Sequence, residues 1–153
     1  MKWKVPPIIK ISEALGAVAD ERIEVTGNSA RIYSSSGNKF YTVTYDSAAQ
    51  EIMANDNGSY WKEYLGYPTI AFLFKVGVLP YDENIGKMLK GIKWKDINQR
   101  FKNNFERTLD FILGTKTEDE KKKLETFVNS IDVKIRKLNL KMLGDKAQPP
   151  EGY

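Results

Sequence analysis

IEVTGNSARIYSSSGNKFYTVTYD, residues 23–46, decides the fold. Short runs rich in β-formers are separated by Gly27-Asn28 and by Ser36-Gly37-Asn38, residues that supply the positive φ of tight reversals. Ile23–Thr26, residues 30–34 and residues 39–45 therefore read as strands of an antiparallel meander. The last run alternates cleanly, with Phe40, Thr42 and Thr44 on one face and Tyr41, Val43 and Tyr45 on the other. Residues 51–55 add a strand, Asn57-Gly58 a turn, and residues 59–65 read equally as a returning strand or a helical turn.

YPTIAFLFKVGVL, residues 67–79, follows. Pro68 suits a first helical turn, and Ile70, Ala71, Phe72, Leu73 and Phe74 are apolar all round, as in a buried helix. Gly77 and Pro80 end it. Upstream, Pro6 and Pro7 impose an extended arm, and Ile11, Leu15 and Val18 mark a helix over residues 8–20. Ala14, Gly16 and Ala17 give that helix a small-residue face for close approach.

Downstream the pattern is helical. Asp82 caps a short helix ending near Gly91, and a longer one runs from Trp94 to Gly114 with the stripe Ile97, Phe101, Phe105, Leu109 and Ile112. Thr117 and Glu120 form a capping box for a last helix whose seam is Leu124, Val128, Ile131, Ile135, Leu138 and Met142, spaced as a heptad. These last two helices are expected to form an antiparallel hairpin. The fold expected is α+β: a small antiparallel β-meander packed on a buried helix, then a helical C-terminal part. The divisions fall at residues 1–80, 81–144 and a disordered tail, 145–153.

The chain has 153 residues, 41% of them hydrophobic, with neither Cys nor His. Thiol and imidazole chemistry, disulfides and zinc sites of the usual ligands are excluded. No cofactor and no metal are expected. No signal peptide is read at the start, and the longest apolar run is too short to span a bilayer. A cytoplasmic location is expected, with a composition that would suit a thermophile. The formal charge of +4 is uneven: residues 1–60 hold six Lys/Arg against seven Asp/Glu, and residues 61–153 hold eighteen against thirteen.

Several local motifs have plain readings. Asn55-Asp56-Asn57-Gly58 looks like a calcium loop, but the register puts Met53 and Tyr64 where carboxylates must stand, so it is a turn. Glu118, Asp119 and Glu120 suit the first turn of a helix. Ser34-Ser35-Ser36-Gly37 lies between strands and lacks the Gly-Lys end of a phosphate loop. The candidate set is Lys87, Lys90, Lys93, Trp94, Lys95, Arg100, Lys102 and Arg107, faced by only Asp96 and Glu106. It reads either as a solvated helix face with Trp94 in the core, or as a nucleic-acid contact with cations for phosphate and an indole for stacking.

Residues 30–74 resemble the SWIM domain in layout. That family's strand pair, Cys-x-Cys-Pro-Asp, spacer, Cys-x-His and apolar helix correspond here to FYTVTYD, Ile52-Met53-Ala54-Asn55-Asp56, Gly66-Tyr67-Pro68 and TIAFLFKVG. Ile52, Ala54, Gly66 and Pro68 stand where the ligands would, so the resemblance implies apolar packing in place of metal. It also implies nucleic-acid or protein interactions. The rest of the chain is similar to small uncharacterised archaeal proteins, a likeness that adds no function.

The functional expectation is a non-enzymatic nucleic-acid-binding or accessory protein, with DNA or RNA held through phosphates on a basic helical face. The alternative is a protein-interaction or oligomerisation module joining another protein, or a second copy, through the heptad seam. An enzyme is the third class, and the sequence places no two of its Lys, Tyr and carboxylate groups together. No membrane partner is expected.

Overall fold

The structure, a computed structural model, describes residues 1–151. Ile23–Thr26 (β1), Ser29–Tyr33 (β2), Phe40–Asp46 (β3) and Glu51–Ala54 (β4) pair with their sequence neighbours as an antiparallel meander. The alternation in β3 is realised: Tyr41, Val43 and Tyr45 are buried and Phe40, Thr42 and Thr44 exposed. Lys141–Met142 (β5) adds a parallel strand beside β4, so the sheet is mixed, with five strands.

Tyr67–Lys75 (α2) lies on the inner face of this sheet, and every residue from Pro68 to Phe74 is buried. Ile9–Ala19 (α1) packs on α2 from the other side. A helix held between a sheet and another helix has no solvent face, which is why its sequence lacks an amphipathic period. Gly16 of α1 allows the close approach its sequence implies: a Cβ there would meet Trp94 Nε1 at 2.9 Å and the Leu89 carbonyl at 3.0 Å.

The remaining helices are Glu83–Lys87 (α3), Trp94–Arg100 (α4), Phe105–Leu113 (α5) and Glu118–Lys137 (α6). Asp82 caps α3 by accepting from the backbone N–H of Asn84 and Ile85, and the Thr117–Glu120 capping box opens α6. The single helix expected from Trp94 to Gly114 is two. Lys102 and Asn103 take φ of 53° and 60°, which no α-helix continues through, and Asn104 then caps α5.

The last helix stops at Lys137, short of the expected Met142. Leu138 turns extended, Leu140 is buried, and the Lys141 N–H donates to the Gln50 carbonyl at 3.0 Å. The bare edge of β4 supplies hydrogen bonds that another helical turn would forgo. The N-terminal arm closes over the same edge, with the Trp3 N–H on the Leu140 carbonyl and the buried Trp3 indole donating to Ile52 O at 2.9 Å.

The first four residues of the heptad seam pack inside the chain, while Leu138 and Met142 are only partly buried. Leu124, Val128, Ile131 and Ile135 are buried, and α6 packs chiefly on α1 and α3 instead of running as a hairpin along α5. One continuous core extends from Trp3 to Leu140, so the helical part shares its interior with the meander. The tail is fastened: Lys146 Nζ reaches Tyr60 O and Glu63 Oε2, and Lys39 Nζ donates to Glu151 O. Gly152 and Tyr153, the end of the expected disordered tail, lie outside the described residues. No helix among the described residues is long and apolar enough to cross a membrane.

Candidate functional site

Between α1, the β2–β3 loop, residues 56–67 and the start of α4 lies a cleft of about 810 Å³. Its floor is ionic. Lys10 and Glu13 stand one turn apart on α1 and form an ion pair of 2.9 Å, both side chains largely buried. Asn98 of α4 donates its Nδ2–H to Glu13 Oε1 at 3.3 Å, leaving Asn98 Oδ1 without a donor. Asp56 forms the second half of the floor, accepting the Ser59 hydroxyl at 2.5 Å and the Ser59 N–H at 3.2 Å.

Two glycines admit this floor. A Cβ on Gly66 would collide with the Asp56 carboxylate, and one on Gly58 would collide with the Tyr64 ring. Between them residues Gly58–Lys62 form a π-helical turn, a geometry that recurs at functional sites. The turn lifts Trp61 onto the lip of the cleft, 69% exposed, with Tyr60 edge-on at 4.7 Å and Lys62 beside it.

The electrostatics follow from burial. Desolvation pushes the Asp56 carboxyl up from 3.8, outweighing the Ser59 hydrogen bonds and Lys10 that act the other way. Lys10 goes up from 10.5: burial pulls it down, but Glu13, Tyr64 and Asp56 together overcome that. The Tyr64 phenol is raised by burial, with Lys10 opposing and the two carboxylates adding. Chemically the floor offers two carboxyl groups, one of them with its proton affinity raised by burial, a paired ammonium and a phenol. Ser59, 1% exposed with its hydroxyl held on Asp56, is too enclosed to act as a nucleophile.

The opposite lip is basic. Lys93 Nζ donates to Ser35 O at 3.2 Å, and the Lys95 N–H donates to Ser35 Oγ at 3.2 Å. Lys95 is lowered from 10.5 by desolvation and by the nearby Lys39 charge, with Asp96 opposing.

The candidate set read from sequence is thus scattered. Only Trp94 and Lys95 line the cleft, and Trp94 is 3% exposed, wedged against Gly16, with no face to offer a base. Arg100 and Arg107 lie over the rings of Phe111 and Phe101, on a separate patch of α4 and α5. Lys87, Lys90 and Lys102 are exposed and do not line the cleft.

Sequence reading missed Lys10, Glu13, Asp56 and Trp61. Glu13 carried a signal: it is a lone acid in a run, Ile11 to Ala17, otherwise made of apolar and small residues. Such a residue enters a buried helix only with partners. Trp61-Lys62 repeats the Trp-Lys pairing of positions 94–95, but in a segment whose secondary structure the sequence leaves open.

Residues 3–141 match the profile of the family described as uncharacterised conserved protein UCP014422. The chain belongs to that family. It matches no curated protein and no solved structure. Membership spans the arm, the meander, every helix and the first residue of β5, so both lips and the floor of the cleft lie within the family's matched region.

Proposed function

We propose that the protein binds single-stranded nucleic acid across the mouth of the cleft, with Trp61 stacking on a base and the lip lysines holding phosphates. The observation that carries this is the exposure of Trp61, 69% open beside Lys62 on the lip of a cleft whose other lip carries Lys95. A large aromatic left in water next to cations is the arrangement that strand-binding proteins use: stacking is sequence-tolerant, and cations follow the backbone. Repulsion between Lys39 and Lys95 adds to the pull on an anion.

This reading moves the contact from the helical face to the cleft lips and gives Trp94's expected role to Trp61. Lys93 and Lys95 keep theirs. The SWIM-like layout is compatible with it, since Ile52, Ala54, Gly66 and Pro68 are all buried, as packing in place of metal requires.

The test is an oligonucleotide titration at several salt concentrations. Trp61→Ala should weaken binding by one stacked base, about 1–3 kcal/mol. Lys62→Ala and Lys93→Ala should each flatten the slope of log affinity against log salt by about 0.7 for a single strand. No binding of RNA or DNA at low salt overturns the proposal.

A further inference from the structure

The lip lysines leave the floor unexplained. Glu13 and Asp56 are each under one-tenth exposed, and the single ammonium of Lys10 balances only one carboxylate. A phosphate would be repelled there. The floor is instead rich in acceptors. Every carboxylate oxygen has lone-pair capacity beyond the bonds already made, and Asn98, 7% exposed, turns its amide N–H to Glu13 and leaves Oδ1 without a donor. A buried acceptor without a donor is a standing cost that a ligand N–H removes. The walls are aromatic, with Tyr41, Trp61, Tyr67 and Phe105 lining the same cleft.

We infer that the floor receives the amino-bearing edge of a nucleobase, so that the cleft prefers adenine, cytosine and guanine to uracil and hypoxanthine. This deepens the strand-binding reading and rests on it for the phosphates outside. Exocyclic amines donate to the Glu13 and Asp56 carboxylates and to Asn98 Oδ1; a carbonyl set against Glu13 and Asn98 Oδ1 meets acceptors, the donors of the floor being the Lys10 ammonium, already on Glu13, and the Tyr64 hydroxyl. The ring of the base lies against the aromatic walls, and its phosphate projects towards the lysines.

The experiment compares nucleoside 5′-monophosphates on the wild-type protein by calorimetry at low salt. GMP and AMP should each bind about tenfold more tightly than IMP, and CMP than UMP, the effect of one hydrogen bond to a charged group. GMP and IMP differ only in the 2-amino group, and the comparison needs no variant that could misfold. Asn98→Ala and Glu13→Gln should level the preference. Equal affinities, or no binding of any monophosphate, overturn the inference even where oligonucleotides bind. A GMP preference in a protein that binds no oligonucleotide keeps the floor and removes the strand.

Discussion

The Asp56 carboxylate occupies the space that any side chain on Gly66 would need. Gly66 is the N-cap of α2 with φ of −76°, an ordinary value, so its lack of a side chain serves the neighbour and not its own backbone. The relationship ties the floor of the cleft to the start of the most buried helix. Gly66→Ala should therefore destabilise the fold by roughly 1–3 kcal/mol through overpacking. In the Gly66→Ala, Asp56→Ala double variant the two effects should fall well short of additive, by about 0.5 kcal/mol or more in urea melts. Additivity would mean the two residues do not meet.

Asp56 should also give an unusual pH dependence. Its folded-state value lies above the ordinary 3.8, so just above that pH the folded protein holds a proton that the unfolded chain has lost. Stability contributed by this group therefore falls as pH climbs through the raised value, the reverse of an ordinary salt-bridged carboxylate. Wild type measured against Asp56→Asn should lose ground as pH climbs from about 4 through the raised value. A difference that instead grows across that range would show an Asp56 stabilised as the anion.

Lys10 acts in the alkaline window. Its value is raised above 10.5 by Glu13, Tyr64 and Asp56 against the pull of burial, so the pair's contribution is complete below 10.5 and fades as pH rises through the folded value. Lys10→Met should lose stability relative to wild type at neutral pH, and that deficit should shrink under strong alkali. A deficit that stays constant with pH would assign the loss to packing alone.

Phe72 and Leu73 lie in α2 between the sheet and α1, at 1% and 0% exposure. Either residue changed to Ala should cost about 2–5 kcal/mol, the lost burial plus the cavity left behind. A change within about 0.5 kcal/mol would place α2 at the surface.

Ile131 distinguishes a seam used inside the chain from one used between chains. It is fully buried in α6, which packs on α1 and α3. Ile131→Asp should unfold the protein, seen by circular dichroism. A folded variant of lower mass than wild type, by sedimentation, would make the seam an interface.

The sequence by itself determined the elements whose pattern is local. Strand alternation over residues 39–45, the all-apolar run of α2, the Asp82 cap and the Thr117–Glu120 capping box all involve residues within a few positions of one another. Their physics is the pleat, the helical turn and the cap, and a chain carries those in its order of residues. What lay beyond that order needed the fold. Asn98 reaches Glu13 across 85 positions, and nothing in either neighbourhood names the other. Residues 141–142 became a strand because β4 had an open edge, and a helical period cannot report an edge elsewhere in the molecule. Trp61-Lys62 and Trp94-Lys95 look alike in sequence. Gly16 received Trp94 into the core, while the π-helical turn held Trp61 out in water, and only the tertiary structure could tell which indole stays exposed.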